Sequence, residues 1–373
     1  MLDDKWRMNS YISAIKKHIN NNSIVLDLGA GTGIFSLLAC KFGAKKVYAI
    51  EPNPALNIGV KTAKQNGFSD KIKFINKPSE QVELSEKVDL IISDLRGLLP
   101  LHGNNINTLN DAKKRFLKNN GVLIPTSDKI YLALASSPKL YNEIIESWDN
   151  NKYELNLSSA KNSCLNTFYP DNFKSSKLIS SSKLWAKIDY SKLKSTNFHK
   201  KLNFKVSTKT KIHGFSSWFN SELTPGIKLD NSPEAKGAKV YGRAFFPFLE
   251  PLHLDPGDRI SILLQANLIA KEYNWSWKTE HYKKYKKIPV KTFSQSTLFF
   301  NPLSPENLIK GSQNYKTSMN DEAIIHYNTL HLFSKGLTVL NIGKKIYKKF
   351  PKKFVNLNEA ITFVGDLSIK YSK

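Results

Sequence analysis

The nine residues VLDLGAGTG, from Val25 to Gly33, decide how the first third of this chain folds. The apolar residues before Gly29 predict a strand, and the apolar stretch from Ile34 to Phe42 predicts a helix that lies against a sheet. Gly29, Gly31 and Gly33 lie between them, where glycine lets a ligand approach the backbone and the N–H groups of the helix N-terminus. The stretch therefore predicts a nucleotide-binding type of βα unit.

The sequence on both sides of this unit extends the same pattern. Apolar strands alternate with helical stretches, and this alternation predicts a parallel sheet with crossover helices. Asn53 and Pro54 are expected as the N-cap and first residue of one helix, and another is expected near Asn110 to Leu117, before an Asn119-Asn120-Gly121 turn. The predicted strands are Ile24–Leu28, Val47–Ile50, Ile72–Ile75 and Val88–Ser93.

An acidic residue, Glu51, ends the second predicted strand. An acid at this place, about 20 residues after the glycine loop, can accept hydrogen bonds from both hydroxyls of a ribose. The glycines are spaced GxGxG rather than GxGxxG, with Thr32 between the last two, so a pyrophosphate cradle is poorly matched. A ligand with a ribose and no pyrophosphate is the better fit.

LDLGAGTG followed by this acid resembles the first motif of class I S-adenosylmethionine-dependent methyltransferases. From Met1 to about Pro125 the chain is similar to the protein arginine N-methyltransferases, whose M-L-x-D-x-x-R segment is matched by MLDDKWR. The resemblance implies S-adenosylmethionine as cofactor, with the cofactor carboxylate on Arg7, the ribose on Glu51 and the adenine near Glu80. It also implies a border of the methionine part made of Asp27, Gly29, Gly31 and Thr32.

The acceptor side departs from that family in two places. The family's hairpin with two glutamates, which grips a guanidinium, reads SDLRGLLPLHGNN here, so that Asp94 takes the first position, Arg96 adds a cation and Gly103 takes the second. The Thr-His-Trp loop becomes Lys239-Val240-Tyr241. These changes put arginine in question as the acceptor.

Two residues are candidates for a catalytic base, Asp94 and His102. The structural alternatives are that Asp94 pairs with Arg96 or caps the loop, and that His102 is a loop histidine facing solvent. The remaining histidines and acids lack metal-ligand spacing, so no metal is expected.

The rest of the chain divides into two further regions after a cofactor domain of residues 1–127. Residues 128–315 contain short alternating aromatic-rich stretches, which predict antiparallel strands in a barrel or sandwich, with a long polar surface loop within Asn156–Ser182. Residues 316–373 return to helical spacing and weakly resemble the small winged-helix modules of ribosomal-peptide modification systems. The fold class is thus α/β, with an added β domain and a helical module.

Composition limits the classes that remain. Of 373 residues, 40% are hydrophobic and 23% charged, no apolar run is long enough to span a membrane, and two cysteines cannot make a disulfide framework. A cytoplasmic protein is expected. The net charge of +25 is spread along the chain in lysines, without a clustered footprint, which disfavours specific nucleic-acid binding.

The functional hypothesis is an S-adenosylmethionine-dependent methyltransferase acting on a protein, peptide or small-molecule acceptor. Nitrogen is the accepting atom by analogy with the family, and a homodimer is compatible with the resemblance. Two alternatives stay open. The missing glutamate and changed loop would suit a catalytically silent cofactor-binding or adaptor protein, and the net charge would suit an RNA methyltransferase.

Overall fold

The computed structural model describes residues 2–171, 176–235, 240–300 and 304–372. The chain forms two compact units, Met1–Pro302 and Leu303–Lys373. The parallel sheet and the antiparallel sheets lie in the first unit, and the last four helices lie in the second.

The first unit begins with a five-stranded parallel sheet in the order β3-β2-β1-β4-β5. Its strands are β1 (Ile24–Leu28), β2 (Lys46–Ile50), β3 (Ile72–Ile75), β4 (Val88–Ser93) and β5 (Leu117–Ile124). Its helices are α1 (Lys5–His18), α2 (Ile34–Lys41), α3 (Leu56–Gln65) and α4 (Asn105–Phe116). The strand order reverses between β1 and β4, and such a switch point leaves a crevice at the carboxyl ends of the strands, where open α/β sheets bind ligands.

Local predictions in this sheet are mostly confirmed, with three corrections. Asn53 does not cap α3: its Oδ1 accepts from the N–H of Ala55 at 2.9 Å and holds a turn before the helix starts at Leu56. The helix α4 begins five residues earlier than predicted. The predicted turn at Asn119-Asn120-Gly121 lies inside β5, where a shift of register against β4 absorbs the extra residues.

The antiparallel strands follow directly, as predicted, and form two sheets. One contains β7-β13-β11-β6-β8, with β12 on β11 and β9 on β6, and the other is β10-β14-β15-β16. The ranges are β6 (Ser127–Ser136), β7 (Tyr169–Asp171), β8 (Lys177–Leu178), β9 (Lys183–Asp189), β10 (Phe198–Lys205), β11 (Thr210–Thr224), β12 (Ile227–Asp230), β13 (Arg243–Leu254), β14 (Arg259–Ile269), β15 (Glu272–Tyr282) and β16 (Lys291–Ser296).

Aromatic side chains fill the space between these two sheets. Phe246 of β13 stacks on Phe215 of β11 with ring centroids 4.7 Å apart, and it meets Trp277 of β15 edge-on at 5.2 Å. Such buried aromatic pairs add to the stabilisation that their area provides. The aromatic-rich strands of the sequence are thus the core of the β domain.

Two helices in this domain were not predicted. α5 (Pro138–Asp149) and α6 (Ser158–Cys164) lie between β6 and β7, and α5 buries Tyr141 and Ile144 against Leu165 and Phe245. The predicted long loop within Asn156–Ser182 therefore contains α6, β7 and β8, apart from residues 172–175, which lie outside the described residues. The polar composition of this segment shows no helical or strand periodicity. Its secondary structure is determined by a few apolar side chains that become buried against other parts of the fold.

The second unit consists of α7 (Pro305–Lys310), α8 (Asp321–Phe333), α9 (Val339–Lys349) and α10 (Leu357–Tyr371). Ile325, Ile342, Ile346 and Val364 form its core. The described part of this unit contains no strand, so the wing of a winged-helix module is not found there. None of the helices in the described residues is long and apolar enough to cross a membrane.

Candidate active site

The glycine loop leaves β1 and turns sharply before α2. The N–H groups of Gly29 and Ala30 both donate to the carbonyl of Ile50, at 2.9 and 3.1 Å, which ties the loop to the end of β2. Gly29 has φ +75°, and a Cβ there would collide with the side chain of Leu95. Only glycine fits this position, and the backbone stays open towards the crevice.

Glu51, the predicted ribose acid, lies directly over this loop. Its Oε2 accepts from the N–H of Gly31 at 3.0 Å, and its Oε1 accepts from the N–H of Asn53 at 2.9 Å. The side chain is half-buried at the end of β2. Because a carboxylate has about four lone-pair sites, both oxygens keep the capacity to accept from ligand hydroxyls.

Asp27 is buried at the end of β1, below the loop. Its Oδ2 accepts from the backbone N–H and the hydroxyl of Ser36, at 2.9 and 2.7 Å, in the first turn of α2. Burial raises the pKa of Asp27 to about 6, although the hydrogen bonds from Ser36 work in the opposite direction. Asp27 thus anchors α2 to the sheet, whereas Thr32 at the loop tip is exposed.

A cavity of about 470 Å³ opens at the carboxyl ends of β1 and β4. Its size falls within the range of small-molecule sites. Four of the predicted site residues line it, namely Gly29, Glu80, Asp94 and His102. Two buried polar atoms of residues on its walls, Ser79 Oγ and Asn105 Oδ1, have no hydrogen-bond partner among the described residues. Unpartnered buried polar atoms indicate that a ligand completes the wall.

These observations fit a nucleoside cofactor. The glycine loop, the carboxylate of Glu51 with free acceptor capacity and the unpartnered atoms around the cavity together match a ribose with a base and a polar tail. Glu80 lies at the rim, exposed, in a 3₁₀ turn of Ser79–Gln81. The predicted cofactor residues from β1, β2 and this turn are thus brought to one crevice.

Arg7 is engaged differently from what the resemblance implies. Its guanidinium donates to Asp94 Oδ2 from Nε at 2.8 Å and forms an ion pair with it from Nη2 at 2.5 Å. Its Nε also lies 2.9 Å from the hydroxyl of Tyr241, which in turn donates to Asp94 Oδ2 at 2.5 Å. Burial opposes the charge of Arg7, but Asp94 and Tyr241 outweigh it and raise the pKa of Arg7. A role of Arg7 towards the cofactor carboxylate remains a prediction.

A second arginine, Arg96, occupies the other side of Asp94. Its Nε lies 3.3 Å from Asp94 Oδ1, and its Nη1 lies 3.0 Å from Ser221 Oγ and 3.4 Å from Asp128 Oδ1. The guanidinium also packs over the ring of Phe219, 4.9 Å from its centroid. Burial opposes its charge, yet Asp128 and other neighbours raise the pKa of Arg96.

This acidic and basic cluster is sealed from water. The side chains of Arg7, Arg96, Asp94 and Asp128 are between 0% and 7% exposed. Asp128 is further held by the hydroxyl of Tyr190 at 2.5 Å. Two cations and two carboxylates therefore compensate one another at the acceptor end of the crevice. The structure contains the predicted pair of Asp94 and Arg96. The sequence analysis did not identify Asp128, Tyr190 and Ser221 as part of the cluster, because no local motif distinguishes them.

His102 lies at the cavity on the loop before α4. Its side chain is exposed and packs over Gly97, where a Cβ would come within 3.0 Å of Nδ1. Tyr241, from the changed Thr-His-Trp loop, reaches the cluster, and the N–H of Val240 donates to Asp4 at 3.1 Å. Lys239 lies outside the described residues.

Comparison with known proteins agrees with this arrangement. Residues 9–127 match the family model of ribosomal protein L11 methyltransferase (PrmA), and residues 126–276 match the arginine methyltransferase oligomerization subdomain. Protein arginine N-methyltransferase 1 of Oryza sativa subsp. indica is 32% identical over 61% of this chain and 60% of its own length. Probable protein arginine N-methyltransferase 6 of Arabidopsis thaliana is 28% identical over 60% of this chain and 53% of its own length. The chain thus spans between half and two thirds of these relatives.

Two solved structures share the fold. Arabidopsis thaliana protein arginine methyltransferase 10 superposes with a TM-score of 0.68 at 21% identity, and the Trypanosoma brucei PRMT1 enzyme-prozyme complex with a TM-score of 0.70 at 22% identity. Each match covers 79% of this chain and 95% of the other. The predicted resemblance is thus confirmed: in sequence and in fold the chain is similar to class I S-adenosylmethionine-dependent methyltransferases of the protein arginine N-methyltransferase kind.

Proposed function

We propose that this protein binds S-adenosylmethionine and transfers its methyl group to a protein, peptide or small-molecule acceptor. The observation that supports the proposal most is the carboxylate of Glu51, held over an open glycine loop beside a cavity with unpartnered polar walls. The relatives named above are called arginine methyltransferases. Because the hairpin and loop residues that resemble the family's acceptor site are changed in this chain, the identity of its acceptor needs a test of its own.

When bound, S-adenosylmethionine supplies an electrophilic methyl group on a positively charged sulfur. The chain's own part is to hold donor and acceptor in line and to exclude water, which is where most of the rate enhancement of such a transfer arises. Glu51 and the loop fix the nucleoside end. The sealed cluster around Asp94 forms the wall at the acceptor end.

Asp94 is poorly placed to be a base. Its Oδ2 already accepts from Arg7 and Tyr241, and its Oδ1 faces Arg96. Both carboxylate oxygens thus face groups of the chain itself, which leaves little access for the proton of an acceptor. His102, which is exposed at the cavity, is the other candidate base, and a loop histidine that faces solvent is its structural alternative.

The first experiment is isothermal titration with S-adenosylmethionine and its demethylated product, followed by labelled-methyl transfer into a cell lysate. Glu51→Ala should weaken binding by one or two charge-assisted hydrogen bonds of roughly 1.5–3 kcal/mol each, that is, about tenfold or more. Glu143→Ala, an exposed acid on α5, is the matched control and should bind normally. Equal affinity of the Glu51 variant and the wild type would show that the ribose lies elsewhere.

The main competing function is a silent cofactor-binding or adaptor protein, and the occupied state of Asp94 favours it among the alternatives. Tight cofactor binding without label in any acceptor pool would support it. An RNA methyltransferase would instead show RNA binding that falls steeply with added salt.

We also propose that the protein forms a homodimer. The region that matches the oligomerization subdomain carries two exposed large apolar side chains after α5, Tyr153 at 69% and Leu155 at 60%. Exposed apolar groups of this kind are covered in an interface at little cost. Light scattering should give twice the chain mass, and Tyr153→Ser with Leu155→Ser should lower it, whereas Ile269→Ser, also exposed, should not. A wild-type monomer at micromolar concentration would contradict the proposal.

A further inference from the structure

We infer that the acceptor group is a carboxylate and that Arg96 selects it, so that the product is a methyl ester rather than a methylated arginine. This inference rests on the proposed methyltransferase function and departs from the nitrogen acceptor that analogy suggests. It depends on the cluster around Asp94 and on the wall of the cavity.

The first step is that Asp94 has no place for a substrate cation. Arg7 reaches its Oδ2 from Nε and Nη2, at 2.8 and 2.5 Å, and the hydroxyl of Tyr241 reaches the same oxygen at 2.5 Å. Arg96 faces the other oxygen at 3.3 Å. A substrate guanidinium needs two carboxylate oxygens in a bidentate arrangement, and here Arg7 and Tyr241 hydrogen-bond to Oδ2 while Arg96 lies in ion-pair contact with Oδ1.

The second step is the charge of the site. The cluster contains Arg7 and Arg96 against Asp94 and Asp128, and all four side chains are buried. A guanidinium would add a third cation, and the position that could carry another carboxylate is Gly103. The four charges already compensate one another, so the cluster has no surplus carboxylate to pair with a buried cationic acceptor.

The third step is what Arg96 still offers to a ligand. Its Nε faces Asp94 and its Nη1 bonds to Ser221 and Asp128, whereas no hydrogen bond joins Nη2 to the part of the chain that the structure describes. Arg96 also lines the cavity, together with Gly29 of the cofactor loop. The N–H groups of Nη2, which no described group engages, are donors of the kind that suits a carboxylate oxygen.

The fourth step is the chemistry of transfer. A carboxylate attacks with a lone pair it already has, so the new oxygen–carbon bond forms as the methyl–sulfur bond breaks, the sulfur leaves as a neutral thioether and no proton has to be removed. A guanidinium or ammonium acceptor must lose a proton to a base, and Asp94 is engaged. The net charge of +25 also favours encounter with an acidic partner.

The test uses the full chain with methyl-tritiated S-adenosylmethionine and three synthetic peptides. One has free carboxylates, one is the same peptide with its carboxylates amidated, and one is rich in glycine and arginine. We expect label only in the first, released as volatile methanol by mild base, which hydrolyses esters and leaves methylated guanidines intact. Label that resists base and is recovered as methylarginine would overturn the inference.

Binding supplies a readout that does not depend on turnover. Titration of the cofactor-free protein should detect the carboxylate peptide and not the arginine peptide. Arg96→Lys keeps a positive charge for Asp94 and Asp128 but loses the fork, so it should bind S-adenosylmethionine within about twofold and lower transfer to the carboxylate peptide by about tenfold or more. Wild-type activity in Arg96→Lys would remove Arg96 as the selecting residue.

The possible failures are distinguishable. Absence of cofactor binding by the wild-type chain would overturn the proposed function itself. A second outcome is that the wild-type chain binds the cofactor, labels none of the peptides and does not bind the carboxylate peptide. This outcome would support cofactor binding and overturn the inference that the acceptor is a carboxylate.

Discussion

Asp94 is the residue around which the buried cluster of the candidate site is built. A shortened acid at the end of β4 receives two arginines and a tyrosine, and each comes from a different part of the chain. Arg7 lies in the first turn of α1, Arg96 follows β4 by three residues, and Tyr241 precedes β13. We therefore expect Asp94 to hold the N-terminal helix and the β domain together, and its role as a base stays a prediction.

Asp94→Asn tests this assignment. Removing one partner of a buried charge pair leaves a cation uncompensated, which costs about 3–5 kcal/mol. We expect the free energy of unfolding in urea to fall by that order for Asp94→Asn. Asp111→Asn, which breaks the more exposed pair with Arg115 one helical turn away, is the control and should cost about 0.5 kcal/mol. A fully stable Asp94→Asn protein with no turnover would restore Asp94 as a base.

In the strand–loop–helix element of β1 and α2, the buried residue Asp27 supports the loop of the candidate site. Asp27 satisfies N–H and hydroxyl donors of Ser36 in the first turn of α2, where free N–H groups remain unpaired by the helix itself. Its carboxylate is 1% exposed, and desolvation raises its pKa to about 6. The loop above it is thus held by a group that titrates at mildly acidic pH.

The sign of the resulting pH dependence follows from that shift. The folded state holds the proton of Asp27 more tightly than the unfolded state, so this group's contribution to stability is largest below the unfolded pKa and falls as pH rises to about 6. The total change is at most about 3 kcal/mol. Asp27→Asn keeps an acceptor for Ser36 and removes the charge. We expect it to be at least as stable as wild type at pH 7 and to lose this pH dependence.

The measurement is urea unfolding of both proteins between pH 4 and 7, taken as the difference between them so that other carboxylates cancel. Asp258 and Glu280, whose pKa values lie near 2, act in the opposite direction in both proteins. A difference that does not change with pH would contradict a raised pKa of Asp27.

At the scale of the whole molecule, the candidate site lies entirely within the first unit, and the C-terminal helices have a core of their own. The N-caps Asn320, Thr338 and Asn356 each accept from a backbone N–H three residues on, which fixes the starts of α8, α9 and α10. The second unit is thus specified by local signals and a small set of apolar residues.

Ile342→Ala separates the two units experimentally. Ile342 is 1% exposed in the core of the second unit, and its truncation should destabilise that unit by about 2–5 kcal/mol. Calorimetry should report the loss, while titration should find the affinity for S-adenosylmethionine unchanged. Leu340→Ala, on the same helix but 48% exposed, is the control. Weakened cofactor binding by Ile342→Ala alone would show that the two units are coupled.

The sequence by itself determined the parallel sheet, its glycine loop, the place of Glu51 and the change to antiparallel strands near residue 127. These features depend on short-range periodicity and on backbone conformations that few residues tolerate, so neighbours in sequence specify them. The same holds for the helical C-terminal segment. The sequence did not predict α5 and α6, because their few apolar residues are buried only by packing against Phe245 and Leu165.

Only the tertiary structure decided what Asp94, Arg7 and Arg96 do. The sequence suggested a role for each of these three residues. A charged group, however, interacts with the groups that the fold brings within a few ångströms of it. Asp128 and Tyr241, 34 and 147 residues from Asp94 in the chain, supply the charge and the hydroxyl that complete the cluster. Because the interaction of charges depends on distance and burial rather than on order in the sequence, the acceptor side of this site was set by packing.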